Sequence, residues 1–114
     1  MAYATTNPYT GEVIKTFPDA TDADVAQALD QAQSAFERWK HTTFEHRAHI
    51  LQKTADLLRE RHTQYASLLT LEMGKLIGEA EAEVELSAQI LEYYAQNAAE
   101  LLAPEKLTSK HPSY

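Results

Sequence analysis

The sequence predicts a mainly α protein in which an N-terminal β-hairpin precedes about four helices, each packed antiparallel to its neighbour. Apolar residues recur at helical spacing through most of the chain after Pro18. The three glycines and four prolines lie near the chain ends or between those periodic runs, so long stretches remain free to form helix. The connections left between the helices are short, which favours antiparallel neighbours.

Residues 3–17 predict the hairpin. Two β-prone segments, 3–6 and 13–17, flank a strong turn. In that turn, the Asn7 side chain can bond the backbone two residues on, Pro8 presets φ, and Gly11 can take the left-handed conformation that closes the loop. Because a lone two-stranded hairpin is marginally stable in water, we expect it to need a partner surface.

Capping signals and apolar stripes predict helices near residues 21–40, 44–61, 63–73 and 78–102. The predicted capping signals of the first three helices are Thr21 with Asp24, Thr42 with Glu45, and Thr63. Gly74 is the predicted left-handed end of the third helix. The stripes of these three helices comprise Val25, Leu29, Ala32, Phe36 and Trp39; then Ala48, Leu51, Ala55 and Leu58, flanked by Ile50 and Leu57; and then Tyr65, Leu68, Leu69 and Met73, expected to face inward.

The fourth helix carries two apolar lines and should end just before Pro104. One line comprises Leu86, Ile90, Tyr93 and Asn97, and the other Val84, Ala88, Leu91, Ala95, Ala98 and Leu102. A helix that is apolar over so much of its circumference is usually covered on more than one side. The tail, residues 105–114, has no periodicity and is expected to be irregular.

Composition excludes several classes of function. A chain of 114 residues makes at most one domain, and its formal charge of −7 disfavours nucleic acid and anionic membranes as partners. No apolar run approaches the roughly 18 residues of a membrane span, and the N-terminus does not resemble a signal peptide. The absence of cysteine excludes disulfides and thiolate metal sites. A cytoplasmic protein is therefore expected.

The residue types that often carry chemistry favour structural roles here. His46 and His49 share a helix face, but no motif accompanies them or the other histidines, so a metal site is not predicted. Gly74-Lys75 lacks the surroundings of a phosphate loop. Trp39 and the adjacent tyrosines are interpreted as packing residues. The alternating acids of the fourth helix are predicted to form a solvated or subunit-facing patch; they are Glu79, Glu81, Glu83 and Glu85. The remaining histidines, for which no metal site is predicted, are His41, His62 and His111.

An ordered series of short segments resembles the N-terminal part of the aldehyde dehydrogenase family, most closely its succinate-semialdehyde dehydrogenase branch. The resemblance covers about residues 5–104. The segments are Asn7-Pro8-Tyr9-Thr10-Gly11-Glu12, Phe36-Glu37-Arg38-Trp39, Leu71-Glu72-Met73-Gly74-Lys75, Glu79-Ala80-Glu81-Ala82-Glu83-Val84 and Tyr93-Tyr94-Ala95.

The resemblance implies an enzyme that oxidises an aldehyde to its carboxylic acid with NAD or NADP. In that family a cysteine thiolate adds to the aldehyde, hydride passes to the cofactor, and a glutamate-activated water releases the acid. This chain has no cysteine and no glycine-rich cofactor loop. It is therefore expected to be an N-terminal fragment, without catalytic or cofactor-binding residues and inactive alone. Its implied partners are the missing cofactor and catalytic domains, within a homo-oligomer.

The same resemblance places Leu86 beside the aldehyde entrance tunnel, with Ile90 one turn further along. A core role for Leu86 is an equal alternative, because apolar helix positions are mostly core. Glu72 is a weak candidate for binding a monovalent cation.

A stand-alone helical protein-interaction module is the alternative to an enzyme fragment. The broadly apolar fourth helix fits either hypothesis, because in both cases another surface must cover it. In isolation the chain is expected to self-associate through this helix or the hairpin.

Overall fold

The computed structural model describes residues 3–108 and confirms the predicted fold class. An antiparallel hairpin of β1 (Tyr3–Thr6) and β2 (Val13–Phe17) is followed by four helices. These are α1 (Asp22–Trp39), α2 (Phe44–Glu60), α3 (His62–Met73) and α4 (Ile77–Leu101), and 68% of the described residues are helical. Residues 104–108 have no regular structure, and the rest of the predicted irregular tail, 109–114, lies outside the described residues.

The hairpin turn forms as its sequence predicts. The Tyr9 amide donates to the Asn7 side-chain oxygen at 2.9 Å, and the Gly11 amide donates to the Asn7 carbonyl at 2.8 Å. Gly11 is left-handed, with φ of 75°. The two strands are largely exposed, so the hairpin gains its order from the turn and the strand pairing rather than from burial.

The first three helices start within one residue of the predicted positions, but two of the three predicted capping residues are wrong. At α1 the prediction holds: the Asp24 amide donates to Thr21 Oγ1 at 3.2 Å, and the Thr21 amide donates to the Asp24 carboxylate at 2.8 Å. At α2 the cap is Thr43, whose Oγ1 accepts from the His46 amide at 3.1 Å. Thr42 is not the cap, because its hydroxyl donates to the Trp39 carbonyl and accepts from Arg47 Nε instead of from a helix amide.

The capping residue of α3 is the second wrong prediction. Thr63 lies inside the helix, because Arg61 is both the last cap of α2 and the first cap of α3. One non-helical residue, with φ of −102° and ψ of 21°, is enough to separate the two helices. The other end of α3 is as predicted, since Gly74 is left-handed with φ of 70°.

Helix α4 packs along α2 and α3 through small side chains. The buried residues among those described are Ala55, Ala66, Ala80, Val84 and Ala88, and no large side chain among them is fully buried. Leu58, Tyr65 and Leu69 pack, half-buried, against this cluster. The inward placement predicted for Leu68 and Met73 is wrong, because they are exposed and α3 turns Ala66 towards α4 instead. Alanine at the contact permits the helix backbones to approach closely.

Helix α1 buries none of its residues, so its apolar stripe is exposed in this chain. Its direction is set at the corner with α2, where Arg47 donates to the Trp39 carbonyl at 2.9 Å and to Thr42 Oγ1 at 2.9 Å. The guanidinium also lies 5.4 Å from the centre of the Trp39 ring. The corner therefore depends on one side chain that binds both helices.

The hairpin turn contacts the helices at Gly74. A Cβ at Gly74 would lie 2.9 Å from Pro8 Cγ, closer than side chains tolerate. Glycine is thus required twice at this position, for the left-handed backbone and for the approach of Pro8.

The molecule is extended and exposes far more surface than a compact domain. Its radius of gyration is 20.8 Å, whereas a compact domain of about 100 residues has about 13 Å. Its accessible surface is 9713 Å², compared with about 6,300 Å² expected for a compact monomer of this length. Self-association of the isolated chain stays a prediction. Within residues 3–108, no helix is both long and apolar enough to cross a membrane.

Replacing Ala66 by leucine should destabilise the chain, whereas the same replacement at Ala35 should not. Ala66 is fully buried against α4, and a larger side chain must force the two helices apart, at a cost of about 1–3 kcal/mol. Ala35 lies exposed on α1, so Ala35→Leu should change the free energy of unfolding by less than about 0.5 kcal/mol. Urea denaturation followed by circular dichroism measures both; equal effects would contradict the assigned contact.

Candidate functional site

The two apolar lines predicted on α4 have different environments. Val84 and Ala88 are buried, and the members that follow them towards Ala98 are half-buried against the neighbouring helices. Leu86 and Ile90 on the other line are 55% and 49% exposed. One face of α4 therefore holds this segment together, and the other is left open.

Leu86 and Ile90 form the apolar floor shared by two shallow grooves on the open face of α4. The first groove is rimmed by charged residues at its start, Lys75, Glu79 and Glu83, and the second is closed by the two adjacent tyrosines, Tyr93 and Tyr94. The tyrosine rings meet edge to face, with centroids 5.3 Å apart. Because Leu86 is more than half exposed, it does not belong to the core of this chain.

An arginine on α2 joins two turns of α4. Arg59 Nη2 donates to Glu85 Oε1 at 3.2 Å and to Glu92 Oε2 at 3.1 Å, and Arg59 Nε donates to Glu85 Oε2 at 3.2 Å. Gln52, two turns earlier on α2, donates to Glu92 at 3.3 Å. We call Arg59, Glu85 and Glu92 the α2–α4 clamp.

The clamp perturbs the ionisation of its members. Hydrogen bonds from Arg59, and secondarily from Gln89, hold the pKa of Glu85 below its ordinary value. Hydrogen bonds from Arg59 and then Gln52 do the same for the pKa of Glu92. The hydrogen bonds to Glu85 and Glu92 raise the pKa of Arg59. The three groups therefore stay charged at neutral pH.

The acidic row of α4 is only partly the solvated patch that the sequence predicts. Glu79 and Glu81 are exposed, but Glu83 pairs with Lys75 and Glu85 belongs to the clamp. The hydrogen bond from Lys75 to Glu83 raises the pKa of Lys75. The prediction missed these pairs because both cations come from outside the helix. The one available signal was the spacing of Glu85 and Glu92, which places both carboxylates on one helix face.

The other candidate residues do not converge. Among residues 3–108, no group of three or more histidine, aspartate or glutamate side chains is placed to hold a metal ion. Glu72 is exposed, as are His46 and His49, and His111 lies outside the described residues. Trp39, interpreted from sequence as a packing residue, is 44% exposed, with His46 against the edge of its ring.

A third groove, which sequence reasoning missed, lies between the start of α2 and the end of α4. Its walls are Trp39, Phe44, Leu51 and Tyr94, and its floor consists of alanines. The groove presents apolar surface and only two charged side chains, Glu45 and Arg47. Such a groove is better suited to packing against another protein segment than to catalysing a reaction.

Comparison with known proteins decides the family. The model of the aldehyde dehydrogenase family matches residues 1–114, the whole chain. The chain belongs to the aldehyde dehydrogenase family. The resemblance found in its short segments is thereby confirmed.

Individual relatives of this aldehyde dehydrogenase chain agree in name. It is 43% identical over 105 residues to a succinate-semialdehyde dehydrogenase [NADP(+)] of Deinococcus radiodurans, covering 92% of this chain and 22% of that protein. It is 49% identical over 106 residues to one from Mycobacterium ulcerans, covering 92% and 23%. A crystal structure of the succinic semialdehyde dehydrogenase of Streptococcus pyogenes with NADP+ superposes with a TM-score of 0.89 at 39% identity, covering 96% and 24%. The chain thus spans less than a quarter of the length of these relatives.

The clamp should make the free energy of unfolding depend on pH below 4.5, which is the ordinary pKa of glutamate. Both carboxyls have lowered pKa values in the folded chain. Their contribution to the stability of the folded chain is therefore complete above pH 4.5 and is lost as the pH falls through those lower pKa values. The melting temperature of the Glu85→Gln, Glu92→Gln double variant should therefore lie below that of the parent at pH 7 and converge with it in acid. A temperature difference that is the same at pH 7 and pH 3 would contradict this ionic origin.

Proposed function

We propose that this chain forms the N-terminal helical segment of an NADP-dependent succinate-semialdehyde dehydrogenase. The observation that supports this most is its identity of 43–49% to relatives of that name across 92% of the chain. The superposition on a structure that carries NADP+ supports the same branch. NADP is favoured over NAD because these relatives are named as NADP(+) enzymes.

The described residues offer no cradle for that cofactor. Pyrophosphate sites need a glycine-rich turn at the start of a helix. Gly11 lies in the hairpin turn, Gly74 ends α3 with Pro8 against it, and Gly78 lies in the first turn of α4. With no cysteine in the sequence, the covalent step also lacks its thiol. We therefore propose that the remaining domains supply both, and that this chain alone is inactive.

The contribution we propose for this segment is one wall of the aldehyde entrance. Leu86 and Ile90 lie side by side on the open face of α4 and form an apolar floor that no other described element covers. An exposed apolar pair of this kind is suited to contacting the carbon chain of a small aldehyde, whereas the two glutamates and one lysine of the rim give no net attraction for an anionic one. Glu72 is exposed and lacks converging partners among residues 3–108, so no cation role is proposed for it.

The remaining exposed apolar surface supports the proposed partners. The stripe of α1 and the groove between α2 and α4 both present large side chains to solvent in this chain. We propose that the other domains of the enzyme cover them, within a homo-oligomer in the cytoplasm.

A chimera tests the proposed function. The matching segment of the Deinococcus radiodurans enzyme would be replaced by residues 3–108 of this chain, and NADP reduction with succinate semialdehyde would be measured. We expect the chimera to be active, because the replaced backbone belongs to the same fold. The Deinococcus enzyme without its segment and the 114-residue chain alone are the controls, and both should be inactive.

An inactive but folded chimera would contradict the proposal and favour the stand-alone interaction module. Turnover by the purified 114-residue chain would contradict the proposed division between this segment and the catalytic domains.

In the active chimera, Leu86→Trp should raise KM for the aldehyde and leave KM for NADP unchanged. A bulky ring beside the entrance obstructs the substrate, and the effect should be larger for a large aldehyde than for a small one. Leu86→Ala is the matched variant, and should ease the large aldehyde. If Leu86 packs as core in the complete enzyme, Leu86→Trp should instead cost about 1–3 kcal/mol of stability with KM unchanged for both aldehydes.

A further inference from the structure

We propose that Arg59 is a positioning residue that fixes the rotation of α4 and thereby the place of Leu86 and Ile90 at the aldehyde entrance. This inference rests on the proposed function, because it assumes that Leu86 and Ile90 line the aldehyde entrance. Arg59 itself lies on a different helix from these two residues. Arg59 lies on α2, and its contacts are with the opposite carboxylates of the clamp.

The packing between α2 and α4 includes few fully buried side chains. The buried side chains on the two helices are Ala55 on α2, and Ala80, Val84 and Ala88 on α4. Alanine side chains are short, so they interlock less than leucine or phenylalanine would across a helix contact. Leu58 of α2 packs against this cluster only half-buried, so a further interaction that fixes which residues of α4 face outward adds to the contact.

The clamp supplies that interaction because it holds two points along one helix. Glu85 and Glu92 are seven residues apart, so they lie two turns apart on the same face of α4. One guanidinium bonds both of them, and Gln52 bonds Glu92 from the same side. Turning α4 about its axis would carry both carboxylates away from the guanidinium together, so the bonds to both must break, whereas a single ion pair would break alone.

The anchored face determines where the groove floor points. Leu86 directly follows Glu85, and Ile90 precedes Glu92 by two residues, so the floor lies between the anchors. A side-chain atom about 6 Å from the helix axis moves by about 2 Å when the helix turns by roughly 20°. Displacements of about 1 Å can reduce catalytic efficiency by up to about 10²-fold. Loss of the clamp therefore has a measurable consequence at the entrance.

The experiment uses the active chimera. Arg59→Gln should raise KM for succinate semialdehyde about tenfold, while kcat and KM for NADP stay within about twofold. Glu85→Gln combined with Glu92→Gln should give the same pattern, because it removes the clamp from the other side. Arg59→Lys should be intermediate, since a lysine cannot reach two carboxylates with a planar fork.

A double-variant cycle separates positioning from general damage. With Leu86 and Ile90 both replaced by alanine, the groove floor is gone, so adding Arg59→Gln should change KM by less than about twofold. Lys40→Gln, which removes the exposed pair between Lys40 and Glu37 on α1, is the matched control and should leave KM unchanged. Melting temperatures of all variants show which of them remain folded.

Each outcome decides a different statement. An unchanged KM in folded Arg59→Gln and Arg59→Lys variants of an active chimera overturns the positioning role and leaves the proposed function intact. An equal rise in KM with and without the groove floor also overturns it, because Arg59 would then act elsewhere. A folded chimera that is inactive before any of these changes overturns the proposed function itself.

Discussion

The contact of α4 with α2 and α3 through alanine and valine side chains is the constraint on which the other features depend. A buried alanine removes little more than one methyl group from water, worth about 0.8 kcal/mol, so this core is thin for its length. Close approach of the backbones brings Arg59 within reach of both Glu85 and Glu92. The large side chains of Leu86, Ile90 and Tyr93 are exposed on α4 and line the grooves.

The peripheral elements are attached at two points rather than packed along their length. Arg47 ties the end of α1 to α2, and the turn at Pro8 rests against Gly74. Between these points α1 exposes an apolar stripe over its full 18 residues. The extended shape follows from this attachment, since neither α1 nor the hairpin contributes a residue to the buried cluster. An arrangement of this kind is suited to lying against another domain.

Local signals allowed most of the fold to be predicted, and they failed where a contact from elsewhere in the chain decided the outcome. The cap at Thr21 and the left-handed Gly74 depend on neighbours within three or four residues, so both predictions are confirmed. Thr42 and Thr43 are equivalent by propensity, and the hydrogen bonds of Thr42 to Trp39 and Arg47 select Thr43 as the cap. The clamp could not be predicted, because residues 26 and 33 positions apart must meet.

The candidate site illustrates the same division between local pattern and assembled geometry. The two lines of α4 were visible in the sequence, but their different environments required the packing of α2 and α3 to be known. Under the proposed function, a segment without a thiol contributes to an aldehyde dehydrogenase reaction through shape and position. The pair of Lys75 with Glu83 and the clamp flank the stretch of α4 that carries Leu86 and Ile90. Under the proposed function, the placement of Leu86 and Ile90 is the property through which this part of the chain acts on the substrate.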